Sequence, residues 1–210
     1  MRIAIIGAGS VGSALSRAAT AAGHSVTLSA TSPDKASQVA AATGARPAES
    51  NTAAVTDAEL VVLAVPSSAL KVVAKELTPV LSGKVVVDAT NPLNATFTDL
   101  EFGQTVAAAQ ALQASLPGVP VVKAFNTIFA GRLNSPTEGD VRLNAFYAGD
   151  DATAKQSVAE VLSSLGFRPV DVGGLRMARA LEEMAFLNIS LNAANNWPWQ
   201  SGWALLGPTG

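Results

Sequence analysis

The sequence predicts an α/β fold: a doubly wound, mostly parallel sheet, extended by a smaller C-terminal α/β part that ends in a long helix. Three observations carry this reading. Short β-branched runs alternate with alanine-rich helical stretches without a break, the rhythm of repeated βαβ units. The runs are apolar on successive residues, as strands buried on both faces must be. A glycine-rich turn joins the first run to the first helix.

Taken in order, Ile3–Ile6 reads as the first strand and Ser10–Ala22 as the first helix. Val26–Leu28 is a short strand, followed by a helix over Pro33–Ala42 with proline in its first turn, where the missing N–H costs nothing. Ala45–Ala48 is a weak edge strand and Asn51–Ala58 a short helix. Leu60–Val65 is a strand, and Pro66–Leu77 the helix opened by Pro66-Ser67-Ser68. Lys84–Asp88 (strand), Gly103–Leu116 (helix) and Val119–Ala124 (strand) complete the first half. Beyond it come a strand over Leu143–Ala148, a helix over Ala152–Leu165 capped by Asp150-Asp151, and a strand over Phe167–Val172. The last helix spans Leu175–Asn192, and all three tryptophans, Trp197, Trp199 and Trp203, follow it. Residues 1–130 are expected to form a dinucleotide-binding domain and 131–210 a smaller second domain, joined through the loop Asn134–Asp140.

Composition narrows the function. Apolar residues make up 49% of the 210, and charged residues only 14%, against about 25% in an average domain. A formal charge of −2 gives no basic excess for nucleic acid or an anionic membrane. With no cysteine and one histidine, a disulfide framework, a Cys-ligated metal, a Cys nucleophile and a His-rich metal site are excluded. The apolar run Ile3–Ile6 stops at a glycine turn, too early for a leader peptide, and no run reaches the length of a spanning helix. A cytoplasmic protein is expected.

The strongest motif is Gly7-Ala8-Gly9-Ser10-Val11-Gly12, G-x-G-x-x-G between a strand and a helix. In that setting it marks a Rossmann dinucleotide site. Gly7 allows the tight turn, Gly9 lets a pyrophosphate approach the backbone, and Gly12 lets helix and strand pack closely. The second strand ends in Leu28-Ser29-Ala30-Thr31-Ser32, with Lys35 one helical turn on and no acid at the strand end. Ser29, Thr31, Ser32 and Lys35 suit a ribose 2′-phosphate and favour NADP over NAD, although any of these hydroxyls can also cap the second helix.

Three further strand ends are candidates, because ligands of open parallel sheets bind beyond the strands' carboxyl ends. They are Ala64-Val65-Pro66, Asn91-Pro92-Leu93 after Asp88-Ala89-Thr90, and Phe125-Asn126-Thr127. Asn91 and Asn126 can orient a nicotinamide carboxamide or a second ligand. No catalytic dyad stands out. His24 falls at the far end of the sheet; Lys123 can be a proton donor, a structural ion pair or solvent-facing; Tyr147 sits mid-strand. An alcohol dehydrogenase needs a group to exchange the hydroxyl proton, whereas hydride transfer between two redox rings needs only their stacking.

These motifs, with Val122-Lys123-Ala124-Phe125-Asn126-Thr127, Ala148-Gly149-Asp150-Asp151 and Gly166–Gly174, occur in an order that resembles the coenzyme F420-dependent NADP oxidoreductases and their bacterial dinucleotide-binding relatives. The resemblance runs from Met1 to about Leu191. It implies NADP on Gly7–Gly12 and the second strand end, and coenzyme F420, a 5-deazaflavin, stacked on the nicotinamide near Asn91-Pro92-Leu93 and Phe125-Asn126. No residue is then a proton donor, Asn91 and Asn126 act as orienting groups, and a homodimer is expected. Two departures stand out. The family's Ser-Arg at the second strand end is Ala30-Thr31 here, which forgoes a bidentate phosphate grip. The Trp-rich tail is also longer and more aromatic, suited to packing on the last helix or to lining a flavin-type site. Two other readings stay open: an NADP-dependent reductase of a small carbonyl or imine, with a proton donor near Lys123, Asn91 or Tyr147, and a non-catalytic NADP sensor.

Overall fold

The computed structural model describes residues 1–96, 98–101 and 106–207. Its strands are β1 (Arg2–Ile6), β2 (Ser25–Ser29), β3 (Arg46–Pro47), β4 (Leu60–Leu63), β5 (Val85–Asp88), β6 (Val121–Ala124), β7 (Thr137–Glu138), β8 (Val141–Arg142), β9 (Asn144–Gly149) and β10 (Arg168–Asp171). Its helices are α1 (Ser10–Ala21), α2 (Pro33–Thr43), α3 (Asn51–Val55), α4 (Leu70–Leu77), α5 (Ala108–Ser115), α6 (Ala152–Ser164) and α7 (Ala178–Asn195).

Eight strands form one sheet in the order β10-β9-β6-β5-β4-β1-β2-β3. Every pairing in it is parallel except β6 with β9. The chain winds outward in both directions from the β1–β4 junction, which places the topological switch point, the usual ligand crevice, there. Burial follows the two-residue strand period. Ile3 and Ile5 of β1 join the core cluster under α1 and α6, while Ala4 and Ile6 join the one under α4 and α5. Leu60 and Val62 of β4 face the first cluster, and Val61 and Leu63 the second.

The structure modifies several expected elements. β4 ends at Leu63, two residues early. Pro66–Leu77 is a single turn of 3₁₀-helix over Ser67–Ala69 continued by α4. The last helix likewise starts with a 3₁₀ turn over Leu175–Met177 and runs three residues further, to Asn195. The helix predicted from Gly103 begins at Ala108; the positions 103–105 lie outside the described residues. The loop expected at Asn134–Asp140 contains most of the hairpin β7–β8. That hairpin returns the chain so that β9 enters the sheet antiparallel to β6, with Lys123 opposite Ala148. Among the described residues no helix is long and apolar enough to cross a membrane.

Candidate functional site

The turn after β1 is shaped by three different constraints. A Cβ on Gly12 would lie 1.9 Å from the Gly7 carbonyl oxygen, and one on Gly7 would lie 2.3 Å from that of Ala64. Gly7 also has φ +114°, a conformation that favours glycine. Gly9 is different: nothing lies within 4 Å of where its Cβ would be. It is the N-cap of α1 and offers no side chain to the helix, so the first-turn N–H groups are left for an outside acceptor. An open backbone at an uncapped helix N-terminus fits a pyrophosphate.

The β2 end is more occupied than its sequence indicates. Ser29 is fully buried. Its hydroxyl donates to Asn51 Oδ1 at 2.7 Å, and Asn51 Nδ2 donates to Glu76 Oε2 at 2.9 Å. Ser32 is the N-cap of α2, accepting from the Lys35 N–H. The hydroxyl of Thr31 and the ammonium of Lys35 are on exposed residues beside it.

Beyond β5 and β6 lies a cleft of about 180 Å³, bounded by Val11 of α1, Ala89, Asn91 and the segment Phe125–Ala130, and closed by Ala185, Asn188 and Ile189 of α7. Two asparagines form its polar wall. Asn91 Nδ2 donates to the Asn126 carbonyl, and Asn126 Nδ2 donates to Asn91 Oδ1 and to the Leu181 carbonyl, all at 2.9 Å. Both acceptors around Asn126 Nδ2 are carbonyl oxygens, so the amide cannot be flipped and its Oδ1 is fixed as an acceptor. That oxygen is buried and has no partner, as does the neighbouring Thr127 hydroxyl. Phe125, which leads into this pair, is buried with φ +66°. A left-handed aromatic residue costs of order 1–3 kcal/mol and clusters at ligand sites.

Of the other expected residues, Ala64 and Val65 pack against Gly7, and Pro66 is exposed beside them. Pro92 turns away from the cleft to line a separate groove of about 370 Å³ between α4 and α5. Leu93 bridges to Leu100. Of the first turn, Val11 lines the same cleft as Asn91, Phe125 and Asn126, while Ser29, Pro92 and Leu93 make other contacts.

Lys123 is an ion-pair residue. Its ammonium is fully buried and donates to Asp88 Oδ2 at 3.0 Å, to Glu182 Oε1 at 2.9 Å and to the Thr90 carbonyl at 2.7 Å. Tyr147 lies away from the cleft lining, on β9, and burial pushes its hydroxyl above the ordinary range, with Asp171 adding to the effect. His24 sits near the opposite end of the sheet, its Nε2 2.8 Å from Ser164 Oγ; burial lowers its pKa. Sequence reasoning missed Glu182 and Asn188. The only available signal was the spacing of Asn188 and Asn192, one turn apart in an apolar helix.

A doubly wound sheet with an open glycine turn at its switch point and a polar-walled crevice beside it defines a Rossmann dinucleotide-binding protein. Residues 2–92 match the family model "NADP oxidoreductase coenzyme F420-dependent". The F420-dependent NADP reductase of Methanothermobacter thermautotrophicus is 31% identical over 93% of this chain and 90% of its own length. The chain belongs to the F420-dependent NADP reductase family, a family of NADP-dependent oxidoreductases. Rat metalloreductase STEAP3 is 37% identical over 49% of the chain, which spans 20% of that larger protein. Among solved structures, a protein of Sinorhizobium meliloti of unassigned function superposes with TM-score 0.75 at 32% identity, covering 98% of this chain and 93% of that one. An Aspergillus terreus reductive aminase, TM-score 0.71 at 20% identity over 93% of this chain and 63% of its own, shares the fold.

Two outcomes follow from the packing. Gly12→Ala is expected to lose about 1–3 kcal/mol of stability through overpacking, and Gly9→Ala to melt like the wild type; thermal unfolding compares them. Lys123→Met leaves two carboxylates buried beside an apolar side chain. It is expected to cost about 3–5 kcal/mol in urea denaturation. A variant of wild-type stability that lost turnover would instead make Lys123 a proton donor.

Proposed function

We propose that the chain transfers hydride between NADP(H) and coenzyme F420. The observation that carries this reading is the chemistry of the cleft wall: among the described residues lining it there is no Asp, Glu, Lys, Arg, His or Tyr. Reduction of a carbonyl or imine needs a positioned proton donor. The nearest lysine, Lys123, is held by two carboxylates and a carbonyl. Ring-to-ring hydride transfer needs no such group.

When both cofactors are bound, the chemistry is theirs: a hydride passes between the nicotinamide and the deazaflavin ring. The chain's task is orientation. The N-terminus of α1 would hold the pyrophosphate, with Gly9 providing room for it. Asn126 Oδ1, whose amide is locked by Asn91 and Leu181, is the atom that would accept from the carboxamide NH₂ and orient the nicotinamide. Ala89 and Val11 leave space beside the ring. Ser29 is committed to Asn51, so the 2′-phosphate is left to Thr31, Lys35 and the start of α2. Ala185 and Ile189 give the α7 side of the cleft apolar surface that would help exclude water from the rings.

The reading includes a homodimer. Leu187 and Leu191 lie one turn apart on α7 and are 51% and 38% exposed, an apolar stripe suited to the same helix of a second copy.

Mixing the protein with NADPH and oxidised F420 is expected to bleach the deazaflavin absorbance. Asn126→Ala is expected to slow that bleaching by about tenfold or more, as loss of one orienting hydrogen bond in a buried site does. No bleaching, with NADPH still bound in a titration, would overturn the reading. For assembly, light scattering should give twice the chain mass for the wild type and a monomer for Leu187→Glu.

A further inference from the structure

We propose that the C-terminal tail forms a stacking subsite for the planar aromatic electron carrier, with the indole of Trp199 as its wall. The proposal rests on the hydride-transfer reading above and adds the residue that receives the second ring.

The tail is a built structure. α7 is capped by Asn196, in the left-handed region with φ +52°, and the chain turns back along the helix. The fully buried Asn192 fastens it: its carbonyl accepts from the Trp197 N–H, its Oδ1 accepts from the Trp199 N–H, and its Nδ2 donates to Ser201 Oγ at 2.6 Å. Ser201 in turn donates to Asn188 Oδ1, and Asn188 lines the cleft. Further on, the Trp203 carbonyl accepts from the Asn144 N–H, so the tail is pinned to β9 as well.

Trp199 is held apart from its neighbours. Trp197, Pro198, Gln200 and Ser201 line a separate hollow on the tail's far side, and Trp199 does not. Its ring instead meets Phe129 edge-on, with centroids 5.6 Å apart and planes at 83°. Phe129 is a wall of the cleft. Trp199 also has a left-handed backbone, φ +58°, and stays 46% exposed. A strained, doubly anchored backbone that holds a half-exposed indole next to a cleft spends stability on display, the mark of a binding residue.

Size supplies the second argument. At about 180 Å³ the cleft falls below the roughly 300–1,000 Å³ of sites that enclose a whole ligand. It takes one small ring; a tricyclic partner stacked on that ring must extend past the rim, where Phe129 and Trp199 stand. An indole face there stacks on any flat conjugated ring.

The test uses Trp199→Leu, Trp199→Phe and, as a control on the tail's other side, Trp197→Leu. In steady-state reduction of F420 by NADPH, Trp199→Leu is expected to raise the F420 KM about tenfold, with the NADPH Kd within twofold of wild type. Trp199→Phe should restore most of the loss, and Trp197→Leu should resemble the wild type. An unchanged F420 KM in Trp199→Leu would overturn the subsite and leave the activity standing. So would a parallel loss of NADPH binding, or a dimer that falls to monomers in light scattering, since either makes the indole a structural or interface group. Should the wild type reduce no F420, quenching of its tryptophan emission by F420 or FMN in the presence of NADP⁺ decides. Saturable quenching that Trp199→Leu abolishes keeps the subsite and discards the activity; no saturable quenching discards both.

Discussion

The arrangement of the site depends on one buried ammonium. Lys123 is fully enclosed, and so is Asp88; Glu182 is nearly so. Two carboxylates against one ammonium leave an excess negative charge in a low-dielectric interior, where an unbalanced charge is costly. The backbone supplies the balance. Asp88 Oδ1 accepts from the Thr90 N–H, and Glu182 Oε2 accepts from the Ala108 N–H at the start of α5, the positive end of that helix. Each group is thereby satisfied only if β5, β6, α5 and α7 stand in one mutual position. The pair is therefore better understood as specifying geometry than as adding stability, the role best attested for buried ions.

That geometry reaches the cleft through a single peptide. Leu181 precedes Glu182, and its carbonyl accepts from Asn126 Nδ2. Fixing Glu182 on Lys123 fixes the first turns of α7 along the strand ends, and with them the direction of the Asn126 amide. The left-handed backbone of Phe125, φ +66°, lies directly before Asn126, whose amide bonds to α7. The ions lie outside the cleft lining, yet they help set which polar atom the cleft presents.

The sequence revealed the sheet because its central strands are buried on both faces and so appear as unbroken apolar runs, with the glycine turn marking the first crossover. It did not reveal strand direction at the far edge. Ala145–Ala148 looks like any other buried strand, and only the tight β7–β8 hairpin before it makes it run antiparallel to β6. Asn91 and Asn126 were legible as strand-end amides, but their mutual lock was not, because their partners lie 35 and 55 residues away. The same holds for Lys123: its burial was foreseeable from its strand, whereas Glu182 is 59 positions on with no local spacing to announce it. Nothing local to Ser29 announces that its hydroxyl donates to Asn51, 22 residues away. Local chemistry was readable; long-range pairing was not.

The glycine turn shows why a motif match alone identifies a site poorly. Its three glycines stand under different constraints. Gly7 is confined by its own backbone conformation and by the Ala64 carbonyl, and Gly12 by the Gly7 carbonyl 1.9 Å from where its Cβ would be. Both requirements are internal to the fold and would persist in a protein that bound nothing. Gly9 alone faces open space. Packing would accept a side chain there, and only the close approach of another molecule gives a reason to exclude one. What points to a ligand in G-x-G-x-x-G is thus its middle glycine, at a helix terminus that no side chain caps.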